Sequence, residues 1–444
     1  METIDGVRCP LLLAISFYLE LFLTYCCLPN IGRAYRRDDM MSQKKVTKRS
    51  SFFVTIKGDF MKRSHYITAL ALYMTYFVHG IGVSILSQYK ESLASAWQAP
   101  GIATVLQVIA ALGLGRLVAL PISGYVSDRY GRKTSGLIGV FFYALYFFGI
   151  AATSSPKMAY GLAVLGGIAN SFLDTCVTPT ILEIFGEKGG TANMFTKFSM
   201  SIGQFLLPFM IGAATTMAFT YRALFYLMGG LIALDGMVIA CLPFPKTEKG
   251  TAYTSEPFVF KKEALPAILM GFTATATFIL WLNCNQELGA LYGMADPSKI
   301  QSFYALGTIV AILATAFVVL KKWSTEDVLV AYPMMSLLAL VFIYFVKTPL
   351  ALLVAGFFIG YGGAGGVLQL VVAEANSYYP DHKGKITSVV MIASSVANYA
   401  VLALAGKLTA MSGIDAPRYV VLFNMAITLA SVLLAMQLKR QKKA

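Results

Sequence analysis

The sequence predicts an all-α membrane protein with twelve transmembrane helices. Hydrophobic residues make up 57% of the 444-residue chain and charged residues 13%, about half the charged fraction of an average soluble protein. A helix needs about 20 mostly apolar residues to cross a bilayer, and twelve stretches satisfy this requirement. Because backbone N–H and C=O groups must be paired within hydrocarbon, we expect each stretch to be helical. The stretches are 65–88, 102–123, 134–153, 157–182, 193–217, 222–243, 264–287, 299–320, 328–346, 348–373, 386–408 and 417–437.

The positive charge of the chain lies mainly on one side of these predicted spans. The formal net charge is +14, and the basic clusters precede the first span or follow the even-numbered spans two, six, eight, ten and twelve. Cytoplasmic loops carry an excess of Lys and Arg. We therefore predict a multi-pass protein of the cell (plasma) membrane, with both ends of the twelve-helix core cytoplasmic. Charge sorted in this way argues against a nucleic-acid partner.

An additional apolar stretch, from Cys9 to Pro29, precedes the first span and breaks the even count. It is long enough to form a thirteenth span, but Glu20 interrupts it. We favour a dispensable extension over a further crossing. The predicted divisions are an N-terminal extension of apolar segment and basic cytoplasmic tail (1–61), a first six-helix bundle (62–243), a cytoplasmic linker (244–263), a second six-helix bundle (264–437) and a basic cytoplasmic tail (438–444).

The most specific motif is the hairpin between the second and third spans, GYVSDRYGRK. It resembles the signature loop of the major facilitator superfamily, G-x-x-x-D-R-x-G-R-R/K, and the resemblance extends over about residues 62–440. A shift of about 196 residues also lays Gly166 and Gly167 of the fourth span on Gly362 and Gly363 of the tenth, as expected for two repeated halves. The fixed loop positions are filled by Gly124, Asp128, Arg129, Gly131, Arg132 and Lys133.

This resemblance implies two six-helix bundles related by a pseudo-two-fold axis, with a substrate site between them near the middle of the membrane. It also implies that Asp128 and Arg129 form a gating latch, which holds the bundles together against the helix that begins near Gly384. The alternative is that the charges of the loop only set the topology.

Polar side chains within the spans are the candidates for substrate or proton binding, because an unpaired charge in hydrocarbon costs at least about 2.5 kcal/mol. Arg116 lies eight residues, roughly 12 Å, before Gly124, too deep to reach water easily. Asp174 in span four lies at a similar depth, with Asn170 one turn away on the same face. Two roles compete: a structural ion pair, or a site where Arg116 binds an anionic group and Asp174 carries a proton.

Four further residues complete the predicted substrate or proton site. His79 lies in the middle of span one and is either a site residue or a hydrogen-bonded packing residue. Asn283 and Gln286 in span seven recur at helical spacing with Glu287, although this cluster also suits a helix reaching the membrane surface. Gln369 follows the glycine-rich part of span ten and is expected to donate hydrogen bonds into the cavity.

The sequence therefore predicts a secondary active transporter of a small polar or anionic organic solute, which works by alternating access and is coupled to protons. The alternative is a multidrug/proton antiporter, and a transporter-like receptor without flux ranks lower. No nucleotide-binding G-x-x-x-x-G-K-S/T motif and no catalytic H-E-x-x-H or G-x-S-x-G motif is present in the sequence, so an enzyme is not expected. We expect a monomer in the lipid bilayer, without cofactor, metal or nucleic acid.

Overall fold

The computed structural model describes residues 49–186, 189–245, 260–379, 383–411 and 413–443. These residues contain twelve helices that are long and apolar enough to cross a membrane. The prediction of an all-α membrane protein with twelve transmembrane helices is confirmed. Spans 1 to 12 are His65–Gln88, Ile102–Tyr130, Arg132–Ala152, Pro156–Phe185, Ala192–Thr216, Tyr221–Cys241, Lys262–Leu291, Lys299–Lys321, Thr325–Phe345, Pro349–Ser377, Lys385–Met411 and Gly413–Lys442.

Some predicted segments fall outside this part of the chain. The expected apolar segment at the N-terminus lies within residues 1–48, and residues 246–259 of the expected linker are likewise outside the described residues. Span 1 is the C-terminal part of a longer helix, Arg49–Gln88, and a short helix, Lys90–Ala96, follows it.

Small residues bring helices together within the first bundle. Span 2 packs closely on span 4, and span 3 packs on spans 4 and 6. A side-chain carbon added to Gly167 would overlap the carbonyl oxygen of Leu112, so the backbones of spans 2 and 4 are in direct contact. Close approach of this kind is how transmembrane helices gain van der Waals packing without a hydrophobic driving force. It fixes the relative positions of the polar side chains that the two helices carry.

Span 10 is interrupted where its glycines cluster. An α-helix, Pro349–Ile359, is followed by one π-helical turn, Gly360–Ala364, and by a second α-helix, Val367–Ser377. Gly366, with φ of 101°, joins the turn to the second helix. A side-chain carbon on Gly360 would overlap the carbonyl oxygen of Tyr304 in span 8. The glycines therefore permit both a close helix contact and a break in the helix.

The two bundles meet through span 2 against span 11 and span 5 against span 8. We call the end of the molecule that carries the Gly124–Lys133 hairpin the loop end, and the opposite end the far end. Among the described residues, the hydrogen bonds and ion pairs that join the bundles lie at the far end or near the middle of the spans. The polar connection between the bundles is therefore asymmetric.

Candidate functional site

A charged cluster lies in the middle of the first bundle. The Nη2 atom of Arg116 in span 2 is 2.8 Å from Oδ2 of Asp174 in span 4, and the hydroxyl of Tyr76 in span 1 donates to Oδ1 of the same carboxylate. The side chain of Arg116 is 15% exposed and that of Asp174 is 24% exposed. The two charges are therefore paired and both remain partly exposed.

The close contact of spans 2 and 4 positions this pair. Ser171, one turn before Asp174 along span 4, donates to the backbone oxygen of Arg116 at 2.9 Å. Together with the glycine contact at Gly167, this bond fixes Arg116 against span 4. Asn170 lies one turn from Asp174 and is buried, as the helical spacing predicts.

His79 is buried beside the cluster and is held by an aromatic neighbour. Its Nδ1 is 3.0 Å from the hydroxyl of Tyr143 in span 3, and its ring lies edge-on to Tyr76. Tyr76 and His79 therefore connect span 1 to both spans 3 and 4. One hydrogen bond, from Tyr76, therefore links the Asp174 carboxylate to span 1.

Lys197 in span 5 belongs to the same cluster, although sequence reasoning did not select it. It contacts Met200 one turn further along span 5, and the backbone oxygen of Met200 lies directly against Gly80, next to His79. Its charge acts on Asp174 and Arg116. The available signal was a single lysine within the apolar stretch 193–217. Position along a helix alone does not show which neighbouring side chains a residue meets.

Two predicted site residues lie in a different place, at the far-end contact between the bundles. Gln286 of span 7 donates to Oε1 of Gln88 at 2.9 Å. The backbone oxygen of Asn283 accepts a hydrogen bond from Nζ of Lys90 at 2.5 Å, and Lys90 also forms an ion pair with Glu287. The side chain of Lys90 is only 1% exposed and that of Glu287 is 17% exposed. This surface, formed by these five residues, is called the far-end gate.

A third predicted residue, Gln369, lies in the second half of span 10, beyond the π-helical turn. It is half-buried, and no side-chain hydrogen bond to the charged cluster is described for it. The structure thus brings Arg116, Asp174, Asn170 and His79 together and leaves Gln369 on the opposite bundle.

The residues of the signature hairpin make their described contacts within the first bundle. Asp128 pairs with Arg132 at 2.5 Å, and Arg132 also reaches Glu183 at 3.4 Å. Arg129 donates to the hydroxyl of Tyr125 at 2.8 Å, and Gly131 turns the chain with φ of 99°. The remaining two positions are Gly124, whose Cβ direction is open, and Lys133, which donates to the backbone oxygen of Leu242 at 3.0 Å.

The latch that the hairpin is expected to form with the second bundle stays a prediction. Residues 380–382, directly before the helix that begins near Gly384 and is the expected partner, lie outside the described residues.

Two further polar pairs within the spans, Asp235 with Thr75 and Glu374 with Lys442, were missed by sequence reasoning. Asp235 in span 6 is fully buried, and the hydroxyl of Thr75 in span 1 is 2.5 Å from its Oδ2. In the second bundle Lys442 pairs with Glu374 at 2.9 Å near the loop end. Within the described residues, no three His, Cys, Asp or Glu side chains come together in a way that would hold a metal ion.

Comparisons with known proteins show the family to which the chain belongs. Residues 67–320 match the sequence model of the Major Facilitator Superfamily. The inner membrane transport protein YdiM of Escherichia coli (strain K12) is 31% identical over 386 residues, which cover 85% of this chain and 94% of that protein. The uncharacterized MFS-type transporter YfkL of Bacillus subtilis (strain 168) is 32% identical over 375 residues, which cover 81% of this chain and 93% of that protein.

A solved structure shares the fold. The crystal structure of a D-xylose-proton symporter superposes with a TM-score of 0.67 at 16% sequence identity, covering 84% of this chain and 97% of that chain. The family match spans more than half of the sequence, and the relatives align along most of their own length. The chain is therefore a multi-pass membrane protein of the major facilitator superfamily of secondary transporters.

Proposed function

We propose that the protein moves a small polar or anionic organic solute across the cell membrane by alternating access, and that protons drive this transport. The moving bodies are the bundles 62–243 and 264–437, joined by the linker 244–263. The basic residues of the loop end support a cytoplasmic position for it. Both ends of the twelve-helix core are then cytoplasmic.

The polar contacts of the far-end gate support an inward-facing arrangement. A buried ion pair between Lys90 and Glu287 closes the side away from the hairpin. At the loop end, the hairpin residues pair within their own bundle. A solute bound near Arg116 would then leave toward the cytoplasm, and the reverse step would require the gate to separate.

The single observation that carries the proposal is the partly exposed Arg116–Asp174 pair with Tyr76. Arginine stays charged at every physiological pH and presents several N–H donors, so Arg116 suits the solute. Aspartate can exchange a proton when its surroundings change. When a proton neutralises Asp174, Arg116 is released from its partner and becomes available to a polar or anionic group. This links proton binding to solute binding at one place.

The fold shared with a protein named as a proton symporter is consistent with this coupling. The competing interpretation, a purely structural ion pair, predicts that both charges serve the stability of the first bundle alone. A multidrug/proton antiporter predicts export of apolar drugs, for which the specific N–H donors of Arg116 are less suited.

The test begins with purified protein screened for thermal stabilisation by sugars, organic acids and antibiotics, because a ligand of the folded state raises the melting temperature. The stabilising solute is then used in proteoliposomes with an imposed pH gradient. We expect Asp174→Asn to abolish uptake of the solute against its own concentration gradient while retaining solute exchange, since the neutral side chain imitates the protonated form. Asp296→Asn is the matched control, because its carboxylate lies in an exposed pair with Lys299.

Uptake against a gradient by Asp174→Asn at the parent rate would contradict proton coupling at this residue. Export of the solute driven by the same gradient would favour the antiporter.

A further inference from the structure

The charged cluster contains more positive than negative groups, and two of its donors have no oxygen acceptor. We infer that the transported solute is an organic anion whose carboxylate, or an equivalent oxyanion, binds between Arg116 and Lys197. This inference rests on the proposed function, because it assigns the solute of that same site.

Arg116 uses only part of its guanidinium for Asp174. Its Nη2 makes the ion pair, whereas its Nε is buried and has no hydrogen-bond partner among the described residues. Leaving a buried donor of a charged group without an acceptor is unfavourable. The guanidinium presents its donors in a fixed planar fork that matches carboxylate oxygens. The Nε edge is therefore an unpaired donor within the charged cluster.

Lys197 provides the second donor. Its ammonium group contacts the sulfur of Met200, on the same helix, at 4.0 Å, which is a weak interaction. No carboxylate within the described residues forms an ion pair with it. The side chain is half-buried and interacts electrostatically with both Asp174 and Arg116. It is thus a cation in the cluster without an oxygen partner.

Counting charges shows what is missing. Arg116 and Lys197 supply two positive charges and Asp174 supplies one negative charge, so the cluster carries one positive charge in excess. Asp235 does not compensate, since it bonds to Thr75 and is not among the groups that interact with Lys197. An uncompensated charge within a membrane-spanning bundle is costly, and a bound monoanion removes it.

The alternative role for Lys197 is topological, as a basic residue that helps to orient span 5 in the membrane. In that role its charge is solvated and does not act on groups that approach Asp174. The two roles predict different electrostatic potentials for a small reagent close to Asp174. This potential can be measured without knowing the solute.

Thr178 is a suitable reporter, because it lies one helical turn beyond Asp174 on the same face of span 4 and is half-buried. Thr178→Cys is alkylated in the purified full-length protein by iodoacetate, which is anionic, and by iodoacetamide, which is neutral and similar in size. Peptide mass spectrometry gives the rate with iodoacetate divided by the rate with iodoacetamide. This ratio is then normalised by the same ratio for Ser154→Cys, an exposed position in the connection between spans 3 and 4.

We expect a normalised ratio of about ten, because positively charged surroundings concentrate anions such as iodoacetate. Lys197→Gln should bring the ratio down toward one, and Lys197→Arg should preserve it. Lys322→Gln, an exposed lysine in the second bundle, should change nothing. A parent ratio near or below one, or a ratio that Lys197→Gln leaves unchanged, would overturn the inference.

Transport then separates failure of this inference from failure of the proposed function. If the reconstituted protein moves a neutral solute at a rate that Lys197→Gln does not alter, the anion assignment is wrong and the transporter stands. If no solute moves but the alkylation ratio depends on Lys197, the anion site stands and the proposed transport function is wrong.

Discussion

Replacing Glu287 by glutamine is expected to open the far-end gate. In the parent protein Lys90 is almost completely buried and forms an ion pair with this carboxylate. Glu287→Gln removes the negative charge but retains a side chain of nearly the same shape. The ammonium group of Lys90 then loses its counter-charge and keeps only uncharged acceptors, the backbone oxygen of Asn283 and the amide oxygen of the new glutamine. Separation of the bundles would bring this ammonium group into water, so the open form becomes more favourable.

The expected size of the effect follows from burial. Removing one partner of a fully buried ion pair costs about 3 to 5 kcal/mol. Glu287 is partly exposed and Lys90 keeps one hydrogen bond, so we expect the closed form to lose about 2 to 3 kcal/mol. Since about 1.4 kcal/mol corresponds to a factor of ten, the ratio of open to closed molecules should rise by roughly 30- to 150-fold.

Spin labels at Ser154→Cys and Lys347→Cys report this change, because the two exposed positions lie on different bundles at the far end. Pulsed electron resonance should show a longer distance gaining population in Glu287→Gln. The double variant Lys90→Leu with Glu287→Leu removes both charges and should close again, since an apolar pair replaces a buried ion pair at little cost. Equal opening of the single and double variants would refute the electrostatic explanation.

Two other substitutions test the hairpin and the helix contact. Asp128→Asn should change the free energy of unfolding by less than about 1 kcal/mol, because its ion pair with Arg132 is exposed, but should slow transport if Asp128 closes the latch in the outward-facing state. A parent-like initial transport rate would rule out that role. Gly167→Ala should lower stability by about 1 to 3 kcal/mol, because the added carbon overlaps span 2. Gly161→Ala in the same helix, with nothing within 4 Å of the new carbon, should be neutral or stabilising, and equal melting temperatures for the two glycine variants would contradict the close contact.

The twelve spans could be predicted because length and apolar composition are local properties of the chain. The interruption of span 10 was less visible. Its glycines indicated close contact or bending without distinguishing between them, and the structure shows both. Which glycine faces a neighbouring carbonyl depends on helix orientation, which composition does not encode.

The candidate site was predictable only in part. Arg116 and Asp174 were selected because charge is rare within apolar stretches, and the structure pairs them with each other. Lys90 follows the end of span 1 and reads from the sequence as a loop residue, yet it is buried against span 7. Asp235 and Thr75 are separated by 160 residues, so nothing local in the sequence pairs them. Contacts of this kind depend on how the helices pack.

The π-helical turn in span 10 divides that span into two mechanically distinct arms. The first arm is anchored, because Gly360 lies directly on the backbone of span 8 at Tyr304. The second arm carries Gln369 and begins at Gly366, a residue whose backbone can rotate at low cost. We expect the second arm to swing toward the first bundle when the loop end closes, while the first arm stays in place. The loop end could then close without disrupting the contacts of the far-end gate. The two ends of the transporter could therefore open and close at different times.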